Sequence, residues 1–326
     1  MRSSRTILEV NGLSVAYGSL ERPINAVANA DLAVHEGEIV GVVGESGSGK
    51  TTLCSAMLRA LPASARVSGS VIFEGRSLLE LPEREMRKLR GRALSMILQN
   101  PMTSLDPLFT IGSQIEELVH VHDPALGGEK LGRRAIDLLR KVHITAPESR
   151  VNQYPHQLSG GMKQRILTAM ATSSAPQLLI ADEPTTALDV TIQEEILVLF
   201  HEIRQKGGTA IVIVTHDLGV IRRVCDRVVV MYAGRIVEDG PVEEVFGAPR
   251  HPYTQGLLDS LPKIVGEEVV LSTIPGQVPA LADLGPGCAF ADRCAQAIAA
   301  CRITPQMAIT VGEDHRAFCS RIGHGV

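Results

Sequence analysis

The sequence predicts an α/β fold, a mostly parallel sheet with helices on both faces, and three observations carry that reading. Short apolar runs such as Leu178-Leu179-Ile180-Ala181 and Ala210-Ile211-Val212-Ile213-Val214 have the composition of strands buried on both faces. Segments of helical composition alternate with them, among them one from about Ile192 to Gln205. A Gly-rich stretch, Gly44 to Lys50, joins a strand to a helix in the first fifth of the chain.

The elements follow in order. Leu13, Val15 and Tyr17 alternate with small or polar residues, the period of a half-buried strand. A second strand over Glu38–Val43 runs into the Gly-rich stretch, and Thr51 to Ala60 then reads as a helix that ends before Pro62. Gly69 to Phe73 is a further strand, closed by a turn at Glu74-Gly75. From about 100 to 158 the character changes. Pro101 and Pro107 break the chain, and Ile111, Ile115, Leu118 and Val119 recur at helical spacing, so this stretch is expected to be a largely helical insert. The helix that begins near Ile192 stops at Gly207-Gly208. Val228–Tyr232 and Arg235–Glu238 flank Ala233-Gly234 as a hairpin. From His251 onward Pro and Gly become frequent and periodicity fades, which sets an expected boundary near 250. The expected organisation is one domain over 1–250 and a C-terminal extension over 251–326.

Composition narrows the function classes. A length of 326 residues suits one large domain with an appendage, and 44% hydrophobic residues suffice for a sizeable core. A net charge of -4 and only 6 Phe, 4 Tyr and no Trp argue against a nucleic-acid partner, which would call for a basic stripe or stacking platforms. No run of about 18 apolar residues offers a membrane span. The start, Met1-Arg2-Ser3-Ser4-Arg5, lacks the apolar core of a secretory signal, so the expected compartment is the cytoplasm.

Three motifs carry chemistry. Gly44-Glu45-Ser46-Gly47-Ser48-Gly49-Lys50-Thr51 fits G-x-x-x-x-G-K-[ST] at every fixed position, the signature of P-loop nucleotide binding. Glycines let successive backbone N–H groups converge on phosphate oxygens, and the N-terminus of the following helix favours their charge. Lys50 is placed to reach the terminal phosphates, and the Thr51 hydroxyl to ligate Mg²⁺. Asp182 and Glu183 end the apolar run at 178–181, where ligands bind in parallel sheets; Asp182 suits the metal and Glu183 the attacking water. Leu158-Ser159-Gly160-Gly161-Met162-Lys163-Gln164-Arg165 can be a plain helix N-cap. It can equally be a second anion site, which makes sense if it faces the nucleotide of another subunit.

That last segment resembles the signature of ABC-type ATPases, and further elements match the family in order and spacing. The resemblance implies that Tyr17 stacks on adenine, and that Gly44, Glu45, Ser46, Gly47, Ser48, Gly49, Lys50, Thr51 and Thr52 bind ATP. It implies that Gln99 senses Mg²⁺ and a membrane partner, and that His216 contacts the γ-phosphate. Ser159, Gly160, Gly161 and Gln164, with Asp189 of an Ala187-Leu188-Asp189 D-loop, would act on the partner's ATP. Thr51, Gln99 and Asp182 would hold Mg²⁺, and Glu183, His216 and Gln99 would be catalytic.

Within that family, Gln99-Asn100-Pro101-Met102-Thr103-Ser104-Leu105-Asp106-Pro107 is similar to the Q-loop of oligopeptide and dipeptide importers. The stretch Ala181 to Thr191 and the run His251-Pro252-Tyr253-Thr254 resemble the same group. Leu98 and Asp106 depart from its commoner aromatic and Asn. The implied function is ATP hydrolysis that drives peptide uptake, at the cytoplasmic face of the inner membrane. The implied partners are a second ATPase subunit, commonly a different one, two transmembrane permeases and, indirectly, a solute-binding protein. Uptake of another solute, such as nickel or glutathione, uses the same frame; a soluble ABC-type ATPase acting on DNA or ribosomes is the reading from another class.

Cys288, Cys294, Cys301 and Cys319 crowd the extension. Their spacing lacks the close pairs of a zinc knuckle and suits the four thiolates of a [4Fe–4S] centre, which some members of this group hold. Zinc, or no metal at all with four buried thiols, are the alternatives.

Overall fold

A computed structural model of the chain describes residues 5–19, 21–186, 188–265, 268–270 and 272–322. The chain opens with strands β1 (Thr6–Gly18), β2 (Pro23–His35) and β3 (Ile39–Val43), helix α1 (Lys50–Met57), and strands β4 (Arg66–Phe73) and β5 (Arg76–Ser77). Helix α2 (Glu83–Leu89) and strand β6 (Leu94–Ile97) lead to helices α3 (Pro101–Ser104), α4 (Ile111–His122), α5 (Glu129–Lys141) and α6 (Pro147–Arg150). Next come α7 (Gly160–Ala171), β7 (Leu178–Asp182), α8 (Val190–Gly207), β8 (Ala210–Val214) and α9 (Leu218–Val224). Strands β9 (Arg227–Tyr232) and β10 (Arg235–Pro241) are followed by α10 (Val242–Gly247) and α11 (Pro252–Asp259). The last elements are β11 (Lys263–Val265), β12 (Glu268–Val270), α12 (Ala299–Ile303), β13 (Ile309–Thr310) and β14 (Arg316–Ala317).

Local chemistry accounts for these boundaries. Every residue of β3, β7 and β8 is buried, as continuous apolar runs require. Helix α8 ends on Gly208, whose φ of 64° is the left-handed C-cap that glycine adopts without strain. Ala233 and Gly234, at φ 45° and 81°, form the tight turn of the β9–β10 hairpin. Helix α1 stops at Met57, one turn short of the expected Ala60.

The chain divides into two compact units. One comprises residues 5–7, His35–Glu38 and Glu80–Val214. In it β6, β7 and β8 run parallel, in that order. The helical insert packs around Ile111, Ile115, Leu138 and Leu139, and this core also takes in Ile166 of α7 and Leu199 of α8.

The other unit comprises Leu8–Val34, Ile39–Leu79 and the chain from Thr215 onward. It holds the antiparallel sheet β2-β1-β4-β5, which the alternation of strands and helices does not anticipate. It also holds β3 parallel to β9, with β10, β14 and β13 added antiparallel on the far side of β9. The segment beyond 250 therefore packs within this unit. Its β14 pairs with β10 through Glu238↔Ala317 and Asp239↔Arg316. Tyr253 and Phe290 share one apolar core with Val43, Val228, Val230 and Tyr232. The buried Glu238 carboxylate accepts from the backbone N–H of Arg250 (2.7 Å) and His251 (2.8 Å) and from His315 Nε2 (2.8 Å).

Candidate functional site

The Gly-rich loop leaves the carboxyl end of β3 and enters α1, as its sequence requires. Gly49 stands just before the helix at φ 95°, and a Cβ there would lie 2.2 Å from the Ala26 carbonyl oxygen. Only glycine fits that close approach of two backbones. Lys50 is buried, and its ammonium donates to the carbonyl oxygens of Gly44 (2.7 Å) and Glu45 (3.0 Å) and, at 3.4 Å, to Ser48 Oγ. Ser46, Gly47 and Thr51 are exposed along the loop, and Thr52 is half-buried. Tyr17 lies half-buried near the end of β1, and His216 is exposed between Thr215 and Asp217, just ahead of α9.

Two residues of the C-terminal extension reach this loop, and neither is among the predicted site residues. The backbone N–H of Glu45 donates to Tyr253 Oη at 2.9 Å. The Glu45 carboxylate accepts from Arg293, with Nη1–Oε2 at 2.7 Å and Nη2–Oε1 at 3.2 Å. Burial pushes the Tyr253 phenol well above its ordinary range, so it stays neutral and can accept. The hydrogen bond to Glu45 holds the Arg293 guanidinium still more firmly protonated.

In the other unit, three predicted residues meet at the carboxyl ends of parallel strands. Asp182 is the buried last residue of β7. Glu183 follows it at φ 48°, a left-handed conformation that non-glycine residues adopt at a cost, and its N–H donates to the Val214 carbonyl oxygen at 2.8 Å. Glu183 Oε2 accepts from Gln99 Nε2 at 2.9 Å and from Thr186 Oγ1 at 3.0 Å. Gln99, just beyond β6, is thus joined to Glu183 across 84 residues of sequence.

The Ser159 segment forms the N-terminus of α7, where Ser159 Oγ accepts from the Met162 N–H at 3.3 Å. Asp189 caps α8 in the same way, accepting from the Ile192 N–H at 3.0 Å. The two caps are neighbours. A Cβ on the buried Gly161 would lie 2.5 Å from Ile192 Cγ2, so the glycine lets α7 sit directly on the start of α8. Gln164 is buried one turn further along α7. Ala187 of the D-loop lies outside the described residues.

All four cysteines of the tail are free thiols. Burial first, and then the nearby charges of Cys319, Cys301 and Cys294, raise the Cys288 pKa to about 11. His251 Nδ1 accepts from the Tyr253 N–H, which leaves its proton on Nε2, 4.0 Å from Cys288 Sγ. Burial lowers the His251 pKa to about 3. The thiols are near enough to feel one another, yet among the described residues no three His, Cys, Asp or Glu side chains are arranged to hold a metal ion. Among the same residues no helix is long and apolar enough to cross a membrane.

Comparison with known proteins agrees with this geometry. Residues 27–186 match the family model described as ABC transporter, and 237–301 match that of the oligopeptide/dipeptide transporter C-terminal region. The probable peptide ABC transporter ATP-binding protein of Sinorhizobium fredii is 47% identical over 318 residues, covering 97% of this chain and 95% of that protein. The oligopeptide transport ATP-binding protein of Haemophilus influenzae is 43% identical, covering 92% and 93%. Among solved structures, a dimeric bacterial ABC transporter cassette superposes with a TM-score of 0.65 at 29% identity, over 72% of this chain and 99% of the cassette. Similarity of this depth, running almost from end to end of the chain, assigns it to the ATP-binding proteins of ABC transporters.

Proposed function

We propose that this chain hydrolyses ATP to drive peptide uptake through a membrane-embedded importer, in a composite site shared with a second ATPase subunit. One observation carries the reading: a single chain presents two helix N-termini suited to phosphate. One is that of α1 behind the Gly-rich loop; the other is that of α7, capped by Ser159. A chain with one phosphate loop uses the second N-terminus on the nucleotide of its partner. The peptide class rests on the resemblance of the Q-loop and tail segments and on the relatives' names.

Each residue then has a part. Gly44 through Thr52 bind the phosphates, with Lys50 on the β- and γ-phosphates and Tyr17 against the base. Thr51, Asp182 and Gln99 supply hard oxygen donors, the donor set suited to Mg²⁺, which when bound neutralises charge between the phosphates. Glu183 accepts a proton from the attacking water, Gln99 and Thr186 orient its carboxylate, and His216 contacts the γ-phosphate. Ser159, Gly160, Gly161, Gln164 and Asp189 face the partner's ATP. Catalysis is positioning and charge stabilisation.

Residues 1–250 form the ATPase domain in this reading, with the helical subdomain over about 100–158, and 251–326 the extension. The partners are a second, different ATPase subunit, two permeases and, through them, a solute-binding protein, on the cytoplasmic face of the inner membrane. The test is ATPase activity of the complex reconstituted in vesicles. Peptide-loaded binding protein is expected to stimulate it; stimulation by nickel or glutathione instead would move the solute assignment.

For the tail, the reading is a [4Fe–4S] centre on Cys288, Cys294, Cys301 and Cys319. It is supported by the count of four thiols and their mutual electrostatic influence, and opposed by the lack of a converging ligand set among the described residues. Anaerobic purification is expected to yield iron and acid-labile sulfide in equal amounts. Protein free of both removes the centre.

A further inference from the structure

The phosphate loop is held at its second residue by a side chain about 250 positions away, and that contact has the form of a built site. Arg293 has five N–H donors, and each meets an acceptor. Nη1 donates to Glu45 Oε2 (2.7 Å) and Tyr232 Oη (3.3 Å), and Nη2 to Glu45 Oε1 (3.2 Å) and the Ile274 carbonyl oxygen (3.2 Å). Nε donates to the Pro275 carbonyl oxygen at 2.9 Å. The guanidinium also lies 5.8 Å from the Tyr232 ring centroid and 5.9 Å from that of Phe290. The Arg293 side chain is only 7% exposed and Glu45 28%, so solvent screens this pair far less than a surface pair.

We propose that Arg293 is a positioning residue of the ATP site, which fixes Glu45 and balances its charge so that the loop accepts a polyphosphate. The physical reason is simple. The loop gathers N–H groups toward a highly anionic ligand, yet its second residue is a carboxylate, whose charge opposes that ligand unless a cation is paired with it. A bidentate guanidinium supplies that cation and fixes the carboxylate in one orientation. Tyr253 completes the hold by accepting the N–H of the same residue. Glu45 is therefore anchored through its backbone by α11 and through its side chain by the segment that precedes Cys294.

This proposal rests on reading Gly44–Thr52 as the ATP site, so the experiment tests both separately. ATP affinity of the full chain is measured by equilibrium titration, and KM and kcat in the assembled complex. Lys50→Ala tests the site itself, and ATP binding retained by that variant refutes the site reading whatever Arg293 does. Arg293→Gln is expected to weaken ATP binding about tenfold and raise KM alike, with kcat within about threefold, as for loss of one charge beside an anion. Adding Glu45→Gln removes the unbalanced carboxylate and is expected to bring the affinity within about twofold of Glu45→Gln alone. A purely structural tail would show no such rescue. Wild-type affinity in Arg293→Gln, or an equal loss whether residue 45 is Glu or Gln, overturns the proposal. If Arg293→Gln does not fold, Arg293→Met and Arg293→Met with Glu45→Gln are compared by the same two criteria, since methionine keeps an unbranched apolar stem but carries no charge.

Discussion

Replacing Glu183 by Gln isolates its charge from its shape. Two polar contacts of the side chain fall on Oε2, from Gln99 Nε2 at 2.9 Å and Thr186 Oγ1 at 3.0 Å, and a glutamine carbonyl oxygen can accept the same two bonds. The backbone at φ 48° and the N–H bond to Val214 are indifferent to the exchange, so the strand end should keep its geometry. What disappears is the anion proposed to take the proton from water. Removal of a positioned general base costs about 10²–10⁴ in rate. At 1.36 kcal/mol per decade this adds about 3–5 kcal/mol to the barrier. The assay is steady-state phosphate release by the assembled complex, with ATP affinity measured separately and expected within about threefold of wild type. Turnover within tenfold of wild type would refute the assignment of Glu183 as the base, since no geometric change is available to explain a compensating gain.

Gly161→Ala drives a Cβ to 2.5 Å from Ile192 Cγ2, and overpacking of this kind costs about 1–3 kcal/mol. ATPase of the complex should fall while ATP binding by the isolated chain persists, and Ile192→Ala should restore part of the loss; equal loss of binding would contradict the separation of the two helix N-termini. Glu238→Ala strands three donors in a buried site, at about 1–3 kcal/mol for each unsatisfied group, so urea unfolding should show at least about 3 kcal/mol of lost stability. A change below about 1 kcal/mol would mean that the pocket rehydrates. Cys54 is fully buried, and burial pushes the Cys225 thiol far above its ordinary range, so both should resist iodoacetamide in the native protein and react once it is unfolded. Rapid labelling of either at neutral pH would contradict the packing described.

What the sequence discloses follows from how local the physics is. β3, β7 and β8 are legible because a strand buried on both faces must be apolar throughout. The phosphate loop is legible because its glycines and lysine serve neighbouring atoms. The approach of Gln99 to Glu183 has no local signature, and Gln99 itself was singled out only through family resemblance. β13 and β14 hold two residues each, too few for any period to register, so the packing of the tail onto β10 could not be read. Tyr253 lies in a run quoted only for its resemblance, and Arg293 beside a cysteine read as a ligand. Nothing in the sequence pairs them with a residue 208 or 248 positions earlier.

That separation sets a clock on biosynthesis. Chains emerge from the ribosome at about 5–20 residues per second, so the 248 residues between Glu45 and Arg293 take roughly ten to fifty seconds to appear. Over the first 208 of those residues the nascent loop has its glycines and its lysine but neither distant anchor, and over the remainder it still lacks Arg293. The proposed nucleotide site is then among the first parts of the polypeptide to be made and among the last to be finished.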